Sequence, residues 1–139
     1  KKQGYAEVIY LDAAEEKYIE EVGAANFFAI IDGRVITPEL TGSILPGVTR
    51  ESVLYLARER MGLEIEERRI SVDEALTADE VFCAGTAAII APIGSINYRG
   101  KEHVFSEGMV GKTTKELYDA LTGIQFGTEK DEFGWMAEI

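Results

Sequence analysis

Apolar positions first gather in "YAEVIYLD" (5–12), a short run that predicts a strand, and then give way to acidic, helix-favouring "AAEEKYIEEV" (13–22). In "NFFAIIDGRVITPEL" (26–40) two apolar runs flank Asp32-Gly33, a pair that favours the positive backbone angles of a type I′ turn, so a hairpin is expected. Beyond it Val53, Leu56, Ala57 and Met61 repeat at helical spacing, with Thr49 as the expected cap and Gly62 as the stop. "EIEERRI" (64–70) alternates like an edge strand, and Ser71 with Glu74 forms a capping-box pattern opening the short helix "VDEAL". The run "EVFCAGTAAIIAPIGSINY" (80–98) is nearly all apolar, too long for one strand, and broken by Gly85, Pro92 and Gly94. "SINYRGKEHVFS" predicts a second hairpin turning near Arg99-Gly100. Thr113 and Glu116 then box the start of a last helix with Leu117, Leu121 and Ile124 on one face. There is no internal repeat, low-complexity tract or linker. The pattern predicts one compact mixed α/β (α+β) domain of strands with about three helices.

Composition narrows the partners. At 139 residues the chain is of single-domain length, and 46% apolar with 28% charged residues is an ordinary globular balance. A net charge of −11 offers no basic cluster to displace phosphate counterions, which argues against nucleic acid and against an anionic membrane surface. No apolar run reaches membrane-spanning length. One cysteine, Cys83, and one histidine, His103, permit neither an internal disulfide nor a Cys/His metal site, and a reducing, cytoplasmic location is expected. The missing initiator methionine hints at a piece of a longer chain.

Three stretches could carry chemistry. In "SILPGVTRESVLYLARERMG" (43–62) a bare Pro-Gly corner leads directly into a helix N-terminus. Unpartnered amides and the helix dipole suit such a corner to a phosphate, although an ordinary capped helix start is the commoner meaning of the pattern. In "VFCAGTAAII" a Gly-Thr-Ala-Ala step gives up packing volume inside a buried run, which fits either a close-approaching ligand or a bulge at a sheet edge. In "YIEEVGAANFF" Glu20 and Glu21 precede an apolar strand; one carboxylate can turn inward to meet a positive group, or both can stay solvated.

Taken in order, "EEVGAANFF", "ITPELTGSILPGVTR", "EVFCAGTAAIIAPIGSI", "LYDALTGIQFG" and the closing "GWM" resemble the branched-chain amino acid aminotransferases. These are class IV, fold-type IV pyridoxal-phosphate enzymes, and the likeness runs over essentially the whole chain. It implies a strand-rich pseudo-barrel: residues 1–139 would be the C-terminal, cofactor-binding large domain. Position by position, Glu21 resembles the carboxylate that meets the pyridine nitrogen, and Leu45 the residue packed on the ring face. Gly47, Val48 and Thr49 resemble the helix-end phosphate contacts, and Thr86 the hydroxyl that joins them. Gly85 allows close approach, and Ala87 with the amide of Thr86 resembles the step receiving the substrate's α-carboxylate. Ala24 and Asn26 match positions on the strand beneath the cofactor.

The resemblance also implies what the chain lacks. The Schiff-base lysine of the family lies a few dozen residues before the position of Glu21, and this chain begins only twenty residues before it. Lys1, Lys2, Lys17, Lys101, Lys112, Lys115 and Lys130 read as solvated charges, so no catalytic residue is assigned here. The small N-terminal domain, with its phosphate-binding arginine, would be absent too. Cys83 reads as a core thiol and His103 as a surface residue. The implied activity of the parent, a homo-oligomer, is exchange of an amino group between leucine, isoleucine or valine and 2-oxoglutarate by a ping-pong route. D-amino acid aminotransferase and aminodeoxychorismate lyase share the fold and much of the cup. Alone, the 139 residues would be a binding module without turnover.

Overall fold

The computed structural model describes residues 7–40, 44, 47–85 and 89–125, with the side chains of 124 and 125 set aside. Among the described residues, nine strands and three α-helices follow in the order β1 (Ile9–Leu11), β2 (Ile19–Val22), β3 (Ala25–Ile31), β4 (Arg34–Thr37), α1 (Val48–Glu59), β5 (Ile65–Glu67), α2 (Val72–Ala75), β6 (Glu80–Ala84), β7 (Ile90–Pro92), β8 (Ser95–Tyr98), β9 (Lys101–Val104) and α3 (Lys112–Gln125), with a 3-10 turn at Ser106–Gly108 before α3.

β3 is the hub. One of its edges pairs antiparallel with β6, from Asn26↔Ala84 to Ile30↔Glu80. The other edge is shared. β2 takes its first half through Glu21↔Asn26 and Val22↔Ala25, and β4 takes its second half from Ala29↔Ile36 onward. Where the two part, the Thr37 hydroxyl donates to the carbonyl of Phe27 at 2.6 Å, so the buried backbone oxygen keeps a partner. β4 then runs parallel to β5. The chain after β5 returns to the start of β2: Ile19 N–H donates to the Ile70 carbonyl and Val72 N–H to that of Lys17, both at 2.9 Å. An isolated bridge, Tyr18↔Ser71, sits between them. Pairing therefore runs from β2 through β3 and β4 to β5, and residues 70–72 beyond β5 bond back to residues 17–19 at the start of β2, which curls the sheet into the expected barrel-like form.

Alternation along β3 supplies two cores. Phe27 and Ala29 join Ile19, Val22, Ile36, Ile70, Val72, Ala75 and Val81 on one face. Phe28 and Ile30 turn to the other, where Val53, Leu54, Leu56 and Ala57 of α1 and Leu117 and Leu121 of α3 cover them. Phe28 and Phe82, opposite each other in register, stack with ring centroids 4.9 Å apart. Burying side chains of this size contributes roughly 1.5–3 kcal/mol each. The central strands are thus the rigid platform of the molecule.

Both expected hairpins form. Asp32 and Gly33 take φ of 51° and 75°, the two positive angles that a type I′ turn demands, and Arg99-Gly100 turns β8 into β9. Ser71 caps α2 by accepting from the Glu74 amide at 3.1 Å. Three local expectations are corrected. "AAEEKYIEEV" is no helix: Asp12 accepts from the amides of Glu15, Lys17 and Tyr18 at 2.7–2.9 Å and winds 12–18 into a loop, while 19–22 become β2. α1 starts one residue before Thr49, at Val48 with Gly47 as its N-cap. α3 starts at Lys112, so Thr113 lies inside it, and its free amides are capped from elsewhere. The amides of Thr113 and Thr114 and the Thr114 hydroxyl donate to the Glu80 carboxylate at 3.1, 2.8 and 2.9 Å. Among the described residues, no helix is long and apolar enough to cross a membrane.

Candidate functional site

The register of β2, β3 and β6 lines up Glu21, Asn26 and Ala84 as direct opposites across the sheet. Directly opposed residues share a face, and this is the face on which α1 and α3 pack, since Ala84 belongs to their core. Glu21 is half-buried and Asn26 only 6% exposed. Consecutive strand residues point to opposite sides, so Glu20 turns away from Glu21 and rims a shallow depression with Tyr18, Pro38 and Arg69.

The N-terminus of α1 descends onto this row. A side chain built on Gly47 would put its Cβ 2.6 Å from Asn26 Oδ1, so only glycine admits this approach of helix end to strand. Gly47 is extended (φ −70°, ψ 143°), has no side chain to cap with, and the first helical bond is Glu51 N–H to the Gly47 carbonyl at 3.3 Å. The amides of Val48, Thr49 and Arg50 therefore lie ahead of the intrahelical ladder with no side-chain cap. The adjoining side chain is the apolar, 85% exposed Val48. At the end of β6, Gly85 stands beside Ala25: a Cβ there would come within 3.3 Å of the Ala25 Cβ. Gly47 thus meets β3 at Asn26, the residue across from Glu21, whereas Gly85 meets the neighbouring Ala25, whose side chain turns to the other face of the sheet.

Of the positions expected from sequence, Glu21, Asn26 and Gly47 come together, with Val48 and Thr49 in the first turn of α1 and Gly85 following Ala84 at the end of β6. Ala24 is an exposed member of the turn joining β2 to β3 rather than a strand residue. Leu45, Thr86 and Ala87 lie outside the described residues. The described lysines, Lys17, Lys101, Lys112 and Lys115, are all exposed, and Lys115 pairs with Asp119 at 2.8 Å. Cys83 points from the opposite face of β6 toward the second core, where burial, with Glu7 nearby, pushes its thiol up. His103 sits half-buried on β9 opposite Ile96.

One residue of the site carried no role in the sequence reading. Arg50 is fully buried. Its guanidinium donates to the Pro38 carbonyl at 3.2 Å, to Glu67 Oε1 at 2.8 Å and to Glu51 Oε1 at 2.7 Å. Its Nε finds no hydrogen-bond partner among the described residues. The signal was legible: positions 50, 53, 54 and 57 form one helical stripe, and an arginine on an apolar stripe must be held by acceptors.

A family model, "Amino-transferase class IV", matches residues 1–96. The chain is 47% identical over all its 139 residues to branched-chain amino acid aminotransferase 2, chloroplastic, of Humulus lupulus. It is 50% identical, over 99% of its length, to a probable branched-chain-amino-acid aminotransferase of Staphylococcus aureus (strain N315). It spans 34% and 40% of the lengths of those two proteins. Among solved structures, the Escherichia coli branched-chain amino acid aminotransferase superposes with a TM-score of 0.88 at 37% identity, covering 99% of this chain and 43% of that one. The T.th. branched-chain amino acid aminotransferase complexed with N-(5'-phosphopyridoxyl)-L-glutamate superposes at 0.86 with 30% identity, covering 98% of this chain and 43% of that one.

Proposed function

The chain belongs to the class IV amino-transferase family, and on that premise we propose that residues 1–139 form the C-terminal, cofactor-holding portion of a branched-chain amino acid transaminase that uses pyridoxal 5′-phosphate. The observation that carries this reading is the approach of the α1 N-terminus at Gly47, which has no side-chain cap, to Asn26 of β3, the residue directly across from Glu21. The donor set fits the group: bare amides for a phosphoester on one side, a carboxylate for a protonated ring nitrogen on the other.

In this reading the amides of Gly47, Val48 and Thr49 donate to phosphate oxygens, with the α1 dipole adding positive potential. The family likeness would add the Thr86 hydroxyl to these donors and set Leu45 against the ring; both residues lie outside the described ones. Glu21 accepts from the ring N–H and keeps the proton on that nitrogen, because a nearby carboxylate favours the cationic form. Bound there, the cofactor supplies the electron sink for loss of an amino acid's α-proton. The amides of Thr86 and Ala87 orient the substrate's α-carboxylate. The lysine such chemistry requires would come from the part of the parent not represented in these 139 residues; every described lysine is exposed. The parent would exchange amino groups between leucine, isoleucine or valine and 2-oxoglutarate, as a homo-oligomer in the cytoplasm.

The test has two arms. The full-length parent is assayed with leucine, D-alanine and aminodeoxychorismate, and preference for leucine with 2-oxoglutarate is expected; preference for either of the others would replace this reading with a sister activity. The 139-residue chain is assayed in parallel. Cofactor binding without turnover is expected, and turnover by the pure chain would show that the nucleophile lies within it.

A further inference from the structure

The segment between β4 and α1 leaves the sheet after Thr37 and leads to the Gly47 corner, and one side chain joins its two ends. Arg50, in the first turn of α1, reaches back to the Pro38 carbonyl at the exit from β4 and across to Glu67 on β5. β5 is itself in parallel register with β4, Thr37 opposite Glu67. The guanidinium thereby ties the exit of β4 to the first turn of α1, and Arg50 itself is fully buried. A charge buried there needs a reason, since desolvating it is costly and an aliphatic side chain would fill the same stripe. Electrostatic attraction of a ligand is a poor reason, because Glu51 and Glu67 both pair with the guanidinium and leave the cluster net negative. Geometry is the better one. A planar fork bonded to three acceptors fixes the pitch and rotation of the helix's first turn, and that turn carries the amides of Val48 and Thr49.

We propose that Arg50 is a positioning residue for phosphate recognition, tying the first turn of α1 to the exit of β4 and to β5 so that the amides at 47–49 are held in place before any ligand arrives. This rests on the reading of the α1 N-terminus as a phosphate cup. The clasp explains why an uncapped, glycine-led helix end can keep its aim without a ligand: preorganised donors spend no ordering entropy at the moment of binding.

The test compares pyridoxal 5′-phosphate with pyridoxal, which lacks only the phosphoester, in binding titrations of the 139-residue chain. The chain is taken as wild type, R50K and E67A, with circular dichroism reporting the fold of each. Wild type is expected to prefer the phosphate ester by about tenfold or more, the scale of hydrogen bonds to a charged group. R50K keeps the charge but cannot span three acceptors, and most of that preference should vanish while pyridoxal affinity stays constant. E67A, on an exposed edge, should lose about two- to threefold of it. A folded R50K with the wild-type preference overturns the proposal, as does equal weakening of both ligands, which would mark a role in stability alone. Should R50K fail to fold, E67A decides: an unchanged preference overturns the proposal and a reduced one supports it. A wild-type chain that does not distinguish the two compounds overturns the cup reading itself, and the clasp falls with it.

Discussion

The two long helices begin in opposite ways. α3 starts behind Gly111 with the Glu80 carboxylate, 33 residues away in sequence, gripping two of its amides and a threonine hydroxyl. α1 starts behind Gly47 with no side-chain cap and with Val48 open to solvent. The physics is the same at both ends, orphan donors and a positive dipole, and the protein answers it in one place only. Elsewhere it also supplies its own anion or hydroxyl: Ser71 caps α2, and Asp12 collects three loop amides. Among the described residues, the amides at Thr113 and Thr114, at Glu74 and at Glu15, Lys17 and Tyr18 are filled from within, while the proposed function assigns those at the start of α1 to a ligand.

Breaking the internal cap should have the largest consequences. A Cβ at Gly111 would overlap the Glu80 carboxylate, so Gly111→Ala is expected to cost about 3 kcal/mol in urea unfolding through loss of the cap and overpacking together. Glu80→Ala should cost about 2 kcal/mol, as removal of charge-assisted bonds to a helix end does. The double variant should lie well below the sum, because the alanine at 111 no longer meets a carboxylate.

Acid probes the same contrast at Asp12. Its three amide donors hold its carboxyl down at about 2, below the unfolded-chain value near 4. Its contribution to stability is therefore complete above about pH 5 and drains away as pH falls from 4 toward 2. Melting temperatures of wild type and Asp12→Asn should run apart at neutral pH and converge near pH 2; parallel curves would contradict the assignment.

Substitution at the open end should act on binding more than on folding. Gly47→Ala forces Asn26 to shift from a 2.6 Å approach. The expected loss is about tenfold in affinity for pyridoxal 5′-phosphate and only about 1 kcal/mol in stability. Ser71→Ala, the mildest change, should cost about 1 kcal/mol of stability and leave ligand binding untouched.

These helix starts also mark how far the sequence could be read. Ser71-x-x-Glu74 and Asp32-Gly33 were legible because both the pattern and the atoms that satisfy it are local. Thr113-x-x-Glu116 shows the same capping pattern and was misleading, because the true cap comes from β6. The stretch 13–22 favoured a helix by composition, yet Asp12 captured its amides and Ile70 and Val72 drew its end into the barrel ladder. At the site, the family likeness points to Glu21, Asn26, Gly47 and Gly85, but the alignment of Glu21, Asn26 and Ala84 across three strands is a matter of register that no single stretch encodes. An arginine on the apolar stripe of α1 is legible at Arg50, but what holds it is not, because its acceptors Pro38 and Glu67 lie 12 and 17 residues away.

The claim that α1 alone keeps its donors for a ligand can be read directly from backbone amide resonances during titration with pyridoxal 5′-phosphate. The amides of Gly47, Val48 and Thr49 should shift in a saturable way, together with Asn26 and Glu21, while those of Thr113 and Thr114 stay fixed. Amides at 47–49 that remain unmoved at saturating ligand, or that move no more than those at 113 and 114, would contradict it.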